Sequence, residues 1–268
     1  MLLKKEAKIF LTALMFLTRL PVPKNIDHSE TYLQKSPKYF PLIGWIVATI
    51  IFVVFFIFHK YAAENIGVMA SIIAGILTTG AFHEDGFADT CDAFGGGWTK
   101  EKILAIMKDS RLGTYGVTGL VLMLATKFLL LKELIAYFSF GAQNEKQVYI
   151  LMGATMLAAH SISRLMPVLV IQSYQYVTAS DGSKSKPLAS KKLSPPELLI
   201  AVFFAVMPFV FLPLNFLLAL LFIIPATFLI ANYFKKWIGG YTGDCLGAIQ
   251  QVTEIIFYLS ALMIWKYT

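Results

Sequence analysis

The chain has 268 residues, 57% hydrophobic and 15% charged, with a mean hydropathy of +0.67. An average soluble domain is about 25% charged, so these values exclude an ordinary soluble enzyme and predict an all-α, polytopic membrane helical bundle. The net charge of +7 fits Lys and Arg gathering in cytoplasmic loops during insertion, and no nucleic-acid partner is expected.

The N-terminal stretch MLLKKEAKIFLTALMFLTRLPVP has an apolar run shorter than the roughly 20 residues a bilayer helix needs. No small-residue cleavage site follows it. With Lys4, Lys5 and Lys8 it reads as an interfacial helix beside lipid headgroups. About seven transmembrane helices are expected after it, over 38–59, 62–83, 114–140, 148–172, 197–212, 214–233 and 248–266. Pro195 and Pro196 suit the start of the fifth, where a missing N–H costs little, and the LPLN turn, Leu212 to Asn215, separates it from the sixth. The chain reads as a single transmembrane domain, 1–268, without internal repeats. Cys91 and Cys245 are too few for a disulfide scaffold and lack metal-type spacing.

With the N-terminus in the cytoplasm, the inner segments are 1–37, 84–113, 173–196 and 234–247, carrying 6, 4, 4 and 2 Lys and Arg residues. The outer segments hold Lys60 and Lys146, and Lys266 lies at the outer end of the last span. That asymmetry supports a multi-pass protein of the cell inner membrane with its N-terminus inside. It also puts every polar, glycine-rich loop (84–113, 173–196 and 234–247) on one cytoplasmic face, the expected active-site side.

After Ala62–Ala81, which carries the single charge Glu64, four carboxylates arrive within nine residues: Glu84, Asp85, Asp89 and Asp92, led by His83. Asp85, Asp89 and Asp92 are spaced i, i+4, i+7 and share one helix face. Like charges so arranged repel, and at mid-bilayer each Asp would cost about 2.5–3.5 kcal/mol. The stripe is therefore expected to face an aqueous cavity and to need a cation. Oxygen-only donors select a hard ion, Mg2+ or Mn2+ over Zn2+. Gly80, Gly86, Gly95, Gly96 and Gly97 suggest backbone brought close to something bulky, as where metal bridges a diphosphate.

Downstream, KDSRLGTYG places Arg111 near Gly113 and Gly116, with Ser110, Thr114 and Tyr115 adding hydroxyls. A forked guanidinium beside exposed N–H groups suits phosphate. Arg164, inside the fourth span, should face the bundle interior and have a partner, either the acidic cluster or a bound phosphate. His160, one turn away, reads as an interior histidine, and Lys127 in the third span has no partner that the sequence names. GGYTGDCLGA opens the last span with Gly243 and Asp244, the latter a helix cap or a further ligand, and Glu254 should be interior, paired or protonated.

Together FLTRLPVP, YFPLIGWIVA, GAFHEDGFADTCDAFGGG, SRLGTYGVTGL, the Ser163–Arg164 pair and GGYTGDCLGAIQQVTE, in this order from residue 16 to 254, resemble the cobalamin (5'-phosphate) synthase family, also called adenosylcobinamide-GDP ribazoletransferase. The stretch TASDGSKS, with Asp181 and Gly182, departs from the glycine-rich loop expected there, and Ala93 stands where Gly is expected. The resemblance implies a transferase of cobalamin biosynthesis that joins adenosylcobinamide-GDP to α-ribazole or α-ribazole 5'-phosphate. The products are adenosylcobalamin, or its 5'-phosphate, and GMP, and the metal is Mg2+. Expected metal ligands are Glu84, Asp85, Asp89 and Asp92. Arg111, Gly113, Tyr115, Arg164, Gly243 and Asp244 are expected to bind substrate. Expected catalytic groups are Arg111 and a base left open among His83, Glu84 and Asp92. The remaining partner is the lipid bilayer, with a homo-oligomer left open.

Two rivals share parts of this pattern. A membrane CDP-alcohol or prenyl-diphosphate transferase also uses spaced aspartates, but the CDP-alcohol signature wants Arg soon after DG-x-x-A, and here Gly86-Phe87-Ala88 runs into Asp89. A divalent-cation transporter wants acids along several spans.

Overall fold

The computed structural model describes residues 2–23, 29–177 and 191–267; Asp181 and Gly182 lie outside them. Among the described residues the structure is helical, with no strand beyond an isolated parallel bridge between Tyr176 and Tyr241. Four helices are long and apolar enough to cross a membrane, five when one sharply bent pair counts as a single span.

Helix α1 (Leu2–Leu17) is 16 residues long. Its Lys4, Lys5 and Lys8 are exposed, while Ile9, Ala13 and Leu17 are buried, the one-sided burial of a helix lying against a bundle. The backbone N–H of Arg19 donates to Thr78 at 2.7 Å, and Lys38, itself buried, reaches Glu6 at 2.7 Å. A short helix α2 (Glu30–Lys35) and a 3-10 turn lead into α3 (Phe40–Tyr61), which pairs with α4 (Glu64–Thr79).

The chain then turns by 90° into α5 (Phe82–Gly96). Two successive residues, Gly80 (φ +67°) and Ala81 (φ +58°), take the left-handed conformation. For alanine this costs about 1–2 kcal/mol. A Cβ at Gly80 would run into the Arg19 side chain, so the elbow and the end of α1 are fitted to each other. The expected span 62–83 thus ends at this elbow, and α5, with the acidic stripe, sets off across the bundle.

Helix α6 (Lys100–Met107) is capped by Thr99, and α7 (Thr114–Gly141) runs 28 residues. Helix α8 (Glu145–Ser173) is the central pillar: 89% of its most apolar stretch is buried, against 28% for that of the segment Leu214–Ile238, which ends in α10 (Leu220–Ile238). Helix α3 meets α8 so closely that a Cβ at Gly44 would strike the His160 carbonyl. Helix α9 (Pro195–Val206) starts with a Ser194–Glu197 capping box and passes into a 3-10 turn, Met207–Phe211, so the expected fifth span is only an apolar stretch of 17 residues. Helix α11 (Gly243–Tyr267) closes the chain beside α8, α5 and α7.

Candidate active site

The site begins where α5 crosses the first turns of α11. Both helices carry glycine at the crossing. A Cβ on Gly86 would sit 3.0 Å from the backbone of Asp244, and one on Gly247 would sit 3.2 Å from the His83 carbonyl. This approach brings α11's Asp244 within electrostatic reach of Asp85 and Asp89 on α5. Among the described residues, none of these three carboxylates forms a salt bridge. Asp85 is exposed and Asp89 half-buried, so the cluster opens outward. Like-charged carboxylates held together without a basic partner favour a cation between them.

Asp92 lies on the same helix face but has another task. Its two oxygens accept the backbone N–H groups of Gly113 and Gly116, at 2.7 and 2.8 Å. It thereby caps the N-terminus of α7 from outside, satisfying donors that the helix cannot and placing a negative charge at the positive end of its dipole. A Cβ at Gly113 or Gly116 would collide with the Asp92 carboxylate, which explains both glycines of RLGTYG. Tyr115 lies close over Gly95.

Arg111 is exposed and held by Asp109 through Nη2 at 2.6 Å and Nε at 3.0 Å. That hydrogen-bonded pair holds the Asp109 carboxyl down at about 2. Arg111 borders an open cleft with Asp92, Gly96, Thr114 and Tyr115, so the loop carries it beside the acidic helix but not onto Asp85 or Asp89.

His83 and Glu84 turn the other way, into the bundle. Both are buried and line an internal cavity with Lys127, His160, Arg164, Gln250, Gln251 and Glu254. Lys127 pairs with Glu254 at 3.0 Å, which supplies the partner the sequence did not name. Gln250 donates to Glu254 at 2.8 Å and to Ser163 at 3.1 Å. Arg164 is buried and donates to the His160 carbonyl at 2.9 Å; the acids that act on it are Glu254 and Glu84, not the Asp85 cluster. Gly243 begins α11 and borders a second small cavity that shares His83, Arg164 and Gln250 with the first.

The four expected metal ligands are therefore not gathered. Glu84 faces the interior, Asp92 is engaged by backbone, and Asp85 and Asp89 are joined instead by Asp244. No group of three or more His, Cys, Asp or Glu residues is arranged to hold a metal by itself among the described residues. Mg2+ is commonly held by one or two carboxylates with the rest of its shell from water and substrate phosphates, and one or two of Asp85, Asp89 and Asp244 would suit that mode. Of this cluster, the sequence placed Arg164, His160 and Glu254 in the interior, as found, but not Gln250 and Gln251. Their signal is the polar stripe Gln250, Gln251 and Glu254 on an otherwise apolar helix.

A multi-pass α-helical membrane protein, with an acidic site at one end of its bundle and a buried ionic cluster beneath it, is the class that fold and site define. The family described as Cobalamin-5-phosphate synthase matches residues 9–262, and the chain belongs to that family. It is 42% identical to an adenosylcobinamide-GDP ribazoletransferase of Leptospira interrogans, over 98% of each chain. It is 41% identical to one of Shewanella baltica, over 97% of this chain and 95% of the relative. No solved structure matches it.

Proposed function

We propose that the chain transfers α-ribazole, or its 5'-phosphate, onto adenosylcobinamide-GDP, releasing GMP and forming adenosylcobalamin or its 5'-phosphate. The reading is supported by whole-length similarity to relatives that bear the name of this reaction. The structural observation that carries it is the close crossing of α5 and α11 at Gly86 and Gly247, which brings Asp244 toward Asp85 and Asp89, carboxylates in no salt bridge, so that one or two of them could serve the metal of a diphosphate substrate.

In this reaction a ribose hydroxyl attacks phosphorus, the bond to the GMP oxygen breaks, and the hydroxyl proton is lost. Charge grows on the phosphoryl oxygens and on the leaving GMP, so catalysis is chiefly positioning and charge neutralisation. One or two of Asp85, Asp89 and Asp244 would hold Mg2+, whose contribution when bound is to neutralise diphosphate charge and orient the linkage. Arg111, on its exposed loop, would bind phosphate oxygens after leaving Asp109. Asp92 already accepts two backbone N–H groups and Glu84 accepts the Gln251 amide, which leaves His83 as the base not so engaged. The buried acids Glu254 and Glu84 sit among Lys127 and Arg164, an arrangement unsuited to a cation path through the spans.

The Lys and Arg distribution supports a cytoplasmic placement of this end, in the cell inner membrane, where water-soluble substrates reach it. The test is GMP release by purified protein given adenosylcobinamide-GDP and α-ribazole, with Mg2+ or with EDTA. Release that needs Mg2+ is expected; none under Mg2+ rejects the reaction, and undiminished release in EDTA rejects the metal.

A further inference from the structure

Beneath the acidic site runs a chain of polar contacts with a fixed direction. Lys127 on α7 lies 3.0 Å from Glu254 Oε1 and donates to Gln251 Oε1 at 3.0 Å. Gln251 Nε2 in turn donates to Glu84 Oε1 at 3.0 Å. All four residues are buried. An ammonium can only donate and a carboxylate can only accept, so the Gln251 amide has one orientation: oxygen toward Lys127, nitrogen toward Glu84. The lysine therefore decides which end of the amide meets α5.

Glu84 is thus tethered inside the bundle, and Asp85 follows it about 100° around the helix, exposed at the mouth of the site. We propose that Lys127 and Gln251 are positioning residues for the transfer reaction. Their tether on Glu84 sets the rotation of α5 at which Asp85 and Asp89 face Asp244. The inference rests on the reading of those aspartates as the metal and diphosphate site. Stability alone is a poor reason for such a pair, because apolar residues of similar volume often replace a buried ion pair at no cost.

That argument supplies the test. The double variant Lys127→Met/Glu254→Leu removes the cation and the anion of the pair together, with Glu84 left as the acid that acts on Arg164. It should melt above Lys127→Met alone while kcat for GMP release falls about 10- to 100-fold, the usual effect of losing a group that orients ligands. Gln251→Glu keeps a partner for Lys127 but turns an oxygen toward Glu84, and should lose as much activity. Lys127→Arg, which keeps the donor, should recover part of it. Wild-type kcat in a folded double variant overturns the proposal. Should that variant not fold, Gln251→Met with amide hydrogen exchange over residues 84–92 decides: faster exchange there is expected, and exchange and kcat both unchanged overturn it. A wild-type protein that releases no GMP would sink the assigned reaction while leaving the exchange measurement to judge the tether.

Discussion

Asp92 accepts the backbone N–H of Gly116 at 2.8 Å, across 24 residues of sequence. With the matching bond from Gly113, it fastens the loop that carries Arg111 to the helix that carries the acidic stripe. A hydrogen bond to a charged group contributes about 1.5–3 kcal/mol, so Asp92→Ala should lower the melting temperature clearly. Gly116→Ala, which drives a methyl into the same carboxylate, should do likewise. Thermal denaturation in detergent measures both; an unchanged melting temperature for Asp92→Ala would show the clamp to be unimportant.

Asp89→Asn should act oppositely on fold and function. It relieves repulsion among Asp85, Asp89 and Asp244, so stability should hold or rise slightly, while Mg2+-dependent GMP release should fall by at least about 100-fold, the scale of losing a metal contact in phosphoryl transfer. Stability and initial rates on one preparation test this, and full activity would remove Asp89 from the metal site.

Lys127→Met alone leaves Glu254 buried without its hydrogen-bonded cation. Removing one partner of a buried pair costs about 3–5 kcal/mol. The single variant should therefore be much less stable than Lys127→Met/Glu254→Leu, a difference read by thermal melting. Equal melting temperatures would mean that Glu254 draws its compensation from elsewhere.

Arg111→Ala should leave the melting temperature unchanged, since the Arg111–Asp109 pair is exposed and such pairs contribute little. It should raise KM for adenosylcobinamide-GDP. Asp109→Ala, which frees the guanidinium, should leave KM equal or lower. The Asp109 carboxyl is depressed to about 2, so the pair forms above that pH and is lost only as pH falls through it. The Asp109→Ala effect should hence be flat from about pH 5 to pH 8. An unchanged KM in Arg111→Ala would take Arg111 out of the substrate site.

Much of the bundle was legible because bilayer helices need long apolar runs. The span expected over 38–59 is a helix over Phe40–Tyr61, and that over 148–172 lies within Glu145–Ser173. The elbow after Thr79 was not legible, because the apolar run continues through Gly80 and Ala81 to Phe82 and only the backbone shows the turn. The i, i+4, i+7 spacing did put Asp85, Asp89 and Asp92 on one face. What spacing could not reveal is that the turn at Gly113–Gly116 covers the far end of that face and occupies Asp92, or that two glycines let α11 bring in Asp244. Contacts of this kind depend on residues more than 20 apart in sequence, which no local pattern encodes.

The right-angled elbow at Gly80–Ala81 also bears on how the protein is made. Were α5 to continue straight from α4, the insertion machinery would have to thread four carboxylates into hydrocarbon, at about 2.5–3.5 kcal/mol for each aspartate near the centre. By turning aside first, the nascent chain can release the acidic segment at the rim of the bilayer while its apolar predecessor enters alone. The same bend that swings the acidic helix across the bundle would thus spare biogenesis its steepest step.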